Sequence, residues 1–255
     1  MGRPIEQREH RDHLVEVLLL LGLSLGSSAI YSVLRIIERT TRQVALNQQT
    51  STLNQSVTPD RPWLDLAYQL TGIALGLVAP AMAVFLLRHR RPPADPRIGW
   101  DRREPGRDAA HGALLAAVIG IPGLGLYVLG RHLGITTQVV AADLTSTWWT
   151  IPVLVLAAVQ NSVLEEVVVV AYLLARLRQA GMPDRLALVL SALLRGSYHL
   201  YQGFGAFLGN AVMGLVLGAY YQRRGRVMPL VVAHTLLDVV AFVGYTLAKG
   251  RLGWL

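Results

Sequence analysis

Six ionisable side chains, Glu165, Glu166, Arg195, His199, His234 and Asp238, fall inside stretches apolar enough to lie in a lipid bilayer. Burying such groups in hydrocarbon is unfavourable by several kcal/mol by most estimates, so they persist mainly where they pair or function. Their spacing adds to the argument. His234 and Asp238 are four apart and share one helical face, as do Arg195 and His199. Asn161 lies four before Glu165. Adjacent Glu165 and Glu166 diverge by about 100° on a helix, so one can face a cavity while the other braces a neighbour. A Glu in a low-dielectric site beside a second carboxylate suits general-base work near neutral pH. A nearby His can share the proton of a water or ligate a metal. A second His with a hydrogen-bonding partner can stabilise a tetrahedral oxyanion. Together these are the parts needed to hydrolyse a peptide bond.

The elements that must position these groups are membrane helices. The chain has 255 residues, of which 53% are hydrophobic and 16% charged, well below the roughly 25% charge of a soluble domain. A bilayer span needs about 20 apolar residues. Such runs extend from about His13 to Ile37, Trp63 to Leu87, Ala110 to Gly130, Trp148 to Leu177, Arg185 to Tyr201, Phe204 to Tyr221 and Val227 to Ala248. The fold class expected is all-α: a polytopic membrane protein of about seven helices in a bundle. Pro122-Gly123 is expected to bend the third span.

Helical rise then gives depths from the basic segments. Glu165 comes out roughly 16 Å deep, His199 roughly 21 Å, His234 roughly 10 Å and Asp238 roughly 16 Å. Groups on three separate helices share a similar level.

The arginines support that arrangement. Arg3, Arg8 and Arg11 precede the first span, and Arg88, Arg90, Arg91, Arg97, Arg102, Arg103 and Arg107 separate the second from the third. Arg176, Arg178 and Arg185 follow the fourth, and Arg223, Arg224 and Arg226 follow the sixth. These basic segments alternate, which predicts a multi-pass cell-membrane protein with a cytoplasmic N-terminus. The net charge of +8 therefore reads as topology rather than nucleic-acid binding. The chain has no cysteine, which excludes disulfides, thiolate metal sites and a Cys nucleophile. Asn47 to Asp60 reads as a flexible external loop, Trp148 and Trp149 as an interfacial belt, and Glu16 and Asp65 as residues near enough to the interface to reach water. Gly22/Gly26, Gly72/Gly76, Gly205/Gly209 and Gly214/Gly218 have the spacing that lets membrane helices pack closely.

The motifs resemble those of the CPBP (CAAX protease and bacteriocin-processing, or Abi) intramembrane proteases. That pattern is a Glu-Glu pair with an Arg four positions on, then Phe-xxx-His, then His-xxx-Asn or Asp. The counterparts are Glu165-Glu166 running to Val170, Arg195 to His199, and His234 to Asp238. Order and spacing agree over roughly residues 148–248. The resemblance implies Glu165 as base for the water, His199 as its partner, and His234 with Asp238 as oxyanion or metal-site groups, with Glu166 also in the catalytic set. Two positions depart from the pattern: Val170 stands where Arg is expected and Arg195 where Phe is expected. Arg195 is expected to supply the missing charge from the neighbouring helix by pairing with Glu166.

The division that follows is an N-terminal membrane region, 1–147, of three helices with an external loop at 38–62 and a cytoplasmic Arg-rich loop at 88–109. A protease core of four helices occupies 148–255. The expected activity is intramembrane endopeptidase hydrolysis on a peptide or protein substrate in contact with membrane lipids. A lipidated peptide is one candidate substrate. A zinc ion held by His199, His234 and Glu165 and a metal-free Glu/His site are equally compatible. Two other readings stand beside hydrolysis: a proton-coupled carrier, since intramembrane Glu, His and Asp also build proton relays, and a non-catalytic membrane scaffold.

Overall fold

The chain folds as an all-α polytopic membrane protein. The computed structural model describes residues 3–89 and 98–249, with side chains from Glu9 onward in the first helix. Of the basic residues used to read topology, Arg90, Arg91, Arg97 and the side chains of Arg3 and Arg8 lie outside the described residues.

Among the described residues, five helical stretches are long and apolar enough to cross a membrane. The first is α3 (Pro62–Gly76) running into α4 (Val78–His89), and the second is α5 (Pro105–His132), continuous through Pro122. The third joins α6 (Thr150–Glu165), a π-helical stretch (Glu166–Tyr172) and α7 (Leu173–Gln179). The others are α9 (Phe204–Arg224) and α10 (Met228–Ala248). The third span is 56% buried over its most apolar window, against 11% for α5, so it forms the centre of the bundle and α5 an outer wall. Between α7 and α9, α8 occupies Asp184–His199.

The expected count of seven differs from this at two places. The run His13–Ile37 is two helices, α1 (Arg3–Gly22) and α2 (Leu25–Thr41), bent by 57° and counting as a sixth span only if taken together. The cause is local. Ser24 Oγ donates to Leu20 O at 2.7 Å, and a Cβ on Gly26 would stand 2.7 Å from Leu21 O, so Gly26 permits the break. The run Arg185–Tyr201 is α8, only 16 residues long, about 24 Å at helical rise and short of a full crossing. It gives way to a 3-10 turn (Leu200–Gln202) and to Gly203 at φ +110°. A Cβ there would meet Ile135 O at 2.5 Å, so both conformation and space require glycine.

At the same end of the bundle, the stretch expected as a flexible external loop, Asn47 to Asp60, contributes a strand to a two-stranded ribbon. β1 (Thr50–Gln55) pairs in parallel with β2 (Gln138–Asp143), from Thr50 opposite Gln138 to Gln55 opposite Asp143. Thr137 ties it to the 3-10 turn, its N–H donating to Gln202 O at 2.9 Å and its hydroxyl to Ser51 Oγ at 2.9 Å.

Four further expectations resolve as follows. Gly214 and Gly218 do pack α9 closely on α8, where added Cβ atoms would stand 2.9 Å from Ala192 Cα and 2.5 Å from Leu188 Cδ1, whereas Gly22 and Gly72 face open space. Trp148 is exposed but Trp149 is buried, so only the first has the exposure an interfacial anchor needs. Asp65 is sealed off, its Oδ1 accepting the Val57 and Thr58 N–H groups at 2.6 and 3.2 Å. Glu16 is likewise buried, with Arg176 against it.

Arg176 is not an exposed topology charge. It is fully buried, with Nε 2.7 Å from Glu16 Oε1, Nη1 donating to Gln179 Oε1 and Nη2 donating to Leu86 O. Tyr172, the last residue of the π stretch, donates its hydroxyl to the same Glu16 oxygen at 3.0 Å. This cluster fastens α1 and α4 to the end of the π stretch. Removing one partner of a buried pair leaves the other charge uncompensated, at a typical loss of about 3–5 kcal/mol. Arg176→Met is therefore expected to lower thermal stability in detergent markedly. Melting monitored by tryptophan fluorescence checks it, and an unchanged midpoint would show that the pair holds nothing.

Candidate active site

Three helices bring the ionisable groups together. Glu165 closes α6 and Glu166 opens the π stretch, whose wider turns and seven buried residues, Glu166 to Tyr172, form the packed centre of the bundle. Such π segments change the angular offset of neighbouring side chains and recur at functional sites. Arg195 and His199 come from the last two turns of α8, and His234 and Asp238 from the first half of α10.

Glu166 is sealed from solvent and Glu165 nearly so. The fully buried Arg195 lies between them: Nη2 donates to Glu166 Oε1 at 2.6 Å, and Nη1 stands 3.6 Å from Glu165 Oε2. His234 Nδ1 is 2.8 Å from the same Glu166 oxygen, and its Nε2 is 3.7 Å from Asp238 Oδ1. Glu166 thus accepts from two cations or donors on two helices and is the hub that joins α8 and α10 to the central span. Arg195 supplies from α8 the charge that the motif places at position 170, while Val170 is buried in the apolar core.

Glu165 has a different environment. Its Oε2 accepts the Tyr198 hydroxyl at 2.7 Å. His234, His199 and Arg195 are its electrostatic neighbours. Its side chain is 11% exposed where that of Glu166 is 0%, so Glu165 is the carboxylate that can meet a substrate. The His199 ring faces Arg195 O through Nδ1 at 3.0 Å. A carbonyl can only accept, so Nδ1 carries the proton and Nε2 is the basic nitrogen. His234 by the same reasoning presents Nδ1–H to the Glu166 carboxylate.

Tyr198 and the π stretch escape the sequence reading. Tyr198 lies three residues after Arg195 and so on the same helical face, which was the available signal. Nothing in the run of valines from Val167 to Val170 announces a π-helix.

Among the described residues no group of three or more His, Asp and Glu side chains is arranged to hold a metal ion. Both histidines are engaged through Nδ1, His234 with Glu166 and His199 with Arg195 O, which leaves their Nε2 atoms as the basic nitrogens, and the Arg195 guanidinium fills the space beside both glutamates. The donor chemistry of His199, His234 and Glu165 is thus open to a cation, whereas the Arg195 guanidinium beside the glutamates opposes a second positive charge there.

Residues 147–240 match the Rce1-like family, described as type II CAAX prenyl endopeptidase Rce1-like. The matched segment runs from before α6 into α10 and includes all six ionisable residues. This segment is similar to the Rce1-like family, in keeping with the intramembrane proteases that the three motifs resemble. Comparisons with curated proteins and with solved structures give no match.

Proposed function

We propose that this Rce1-like region makes the chain an intramembrane endopeptidase in which Glu165 activates the attacking water. The observation that carries the reading is the pair of unlike carboxylates inside the matched segment: Glu166 sealed and doubly engaged, Glu165 reachable and held by Tyr198. Glu165 Oε1 takes a proton from water as the water oxygen bonds to the scissile carbonyl carbon. His199 Nε2 accepts the water's other hydrogen and orients it. Negative charge developing on the carbonyl oxygen is met by the buried Arg195 Nη1, which has no hydrogen-bond acceptor within the protein, and by the Nε2–H of a His234 that carries a proton on each nitrogen between Glu166 and Asp238. As the C–N bond breaks, Glu165 returns its proton to the leaving nitrogen. Glu166 acts on this scheme as a positioning residue.

The family description makes a prenylated CAAX-type peptide the first substrate to try. The protein in detergent, without any gradient, is expected to cleave such a peptide into two fragments seen by mass spectrometry. A carrier or a scaffold leaves it intact. We assign residues 148–255 to the protease core and 1–147 to its lateral wall, where α5 packs on α10, α2 on α8 and α1 on α7. The alternating basic segments support a cytoplasmic N-terminus.

Tyr198→Phe removes one hydrogen bond to Glu165 and nothing else. A bond to a charged group contributes about 1.5–3 kcal/mol, so kcat/KM is expected to fall at least about tenfold. An unchanged pH–rate profile and rate would detach Tyr198 from the base.

A further inference from the structure

Between α2 and β1 a cavity of about 470 Å³ opens at the ribbon end of the bundle. A second, of about 430 Å³, shares Arg35, Arg39 and Thr50 with it. The inner wall of the first includes Tyr198, whose hydroxyl donates to Glu165. The cleft therefore borders the tyrosine that holds the carboxylate we assign as the base.

Its lining is polar and positively charged. Ser28, Ser32 and Ser51 contribute hydroxyls, and the first cavity has no Asp or Glu in its wall. The acid of the second, Glu38, is already paired with Arg42. Arg39 is held against the strand, Nη2 donating to Thr50 O at 2.9 Å and Nη1 to Gln49 Oε1 at 3.5 Å. Arg35, one helical turn away on the same face, makes no hydrogen bond or ion pair among the described residues. Among those residues β1 pairs only with β2, so its other edge has no strand partner. An open edge offers main-chain groups to an extended peptide.

We propose that this cleft seats the peptide substrate in extended form beside β1, with a carboxylate of that peptide on Arg35 and Arg39. A peptide fits the observations better than a lipid headgroup, because a headgroup must be followed by acyl chains and the inward path here is walled by serines, threonines and tyrosines. The carboxylate comes from an acidic side chain or from the peptide's own C-terminus. The proposal rests on the endopeptidase reading, and two readouts keep them apart.

Binding is measured on the full-length Glu165→Gln protein in detergent, by anisotropy of rhodamine-labelled decapeptide libraries. One library is neutral with an amidated C-terminus, one carries a single Glu and one a free C-terminus. Cleavage of the same libraries is followed with the unsubstituted protein. The carboxylate-bearing libraries are expected to bind about tenfold tighter than the neutral one, the effect of one charge-assisted contact. Arg35→Ala should erase that difference without weakening the neutral library, and Arg35→Glu should turn the preference toward a library carrying Lys. Which library keeps the preference identifies the source of the carboxylate. Equal binding of all libraries, equal weakening of all by Arg35→Ala, or an Arg35 effect confined to phosphatidylglycerol vesicles overturns the proposal. If no library is cleaved while the Arg35-dependent preference persists, the hydrolytic reading fails and the cleft stands.

Discussion

Glu165→Gln is expected to reduce peptide cleavage by about 10³-fold, within the range of 10²–10⁴ that a positioned general base contributes, while leaving the melting transition in place. The substitution keeps the shape of the side chain and can still accept the Tyr198 hydroxyl, but it removes the group that takes the proton from water. Glu166→Gln separates the two carboxylates. It weakens contacts to both Arg195 and His234, so its main effect is expected on stability and on the placement of α8 against α10. Kinetics in detergent and thermal melting of both variants check this. Hydrolysis in ¹⁸O-water adds a chemical signature, one heavy oxygen in the new carboxyl group of the unsubstituted enzyme's product. If Glu165→Gln retained full activity, or if Glu166→Gln were the variant that lost rate at unchanged stability, the assignment of the base would be reversed or abandoned.

What the sequence made legible was the composition of the bundle and the meeting of its ionisable residues. Length and hydropathy suffice to find spans such as Pro105–His132 and Met228–Ala248. Depth along each helix suffices to bring Glu165, His199, His234 and Asp238 to a similar level, because rise per residue is nearly constant. Direction is less legible. The i,i+4 spacing of Arg195 and His199 set them on one face, yet Arg195 turns to the glutamates while the His199 Nδ1 is spent on a backbone carbonyl. The places where periodicity changes were not legible at all. The break at Ser24 rests on a local contact of one serine and one glycine, the early end of α8 on Gly203 packed against Ile135, and the π stretch lies in a run of valines, all unremarkable in sequence. The ribbon escaped because its strands are short and separated by two membrane spans, β1 being mostly polar and β2 a short apolar run between Gln138 and Asp143, so neither shows a hydrophobic alternation. Glu16 and Arg176 were misjudged because they lie near span ends, where charge is ordinarily solvated, and here they find each other.

Arg195→Met is expected to be the most destabilising single change in the bundle. The guanidinium is fully buried beside two buried carboxylates, with Glu166 at 2.6 Å and Glu165 at 3.6 Å. Its removal leaves two adjacent negative charges without compensation, and breaking a buried pair in this way typically loses about 3–5 kcal/mol. Cleavage should fall with it, since Glu166 loses the partner that fixes it and Arg195 Nη1 no longer faces the reacting carbonyl. A double-substitution cycle separates charge from packing. Arg195→Met with Glu166→Gln should recover much of the stability, because one of the two unpaired charges is gone, but not the activity. A sharper test moves the cation back to the position the motif predicts. Arg195→Phe alone should resemble Arg195→Met. Adding Val170→Arg to it returns a guanidinium to the central span, four residues after Glu166 within the same π stretch. The pair is expected to regain stability and part of the activity relative to Arg195→Phe. Should the double variant be no better than the single one, the cation at 195 is not interchangeable with one at 170, and the site depends on where Arg195 stands as well as on its charge.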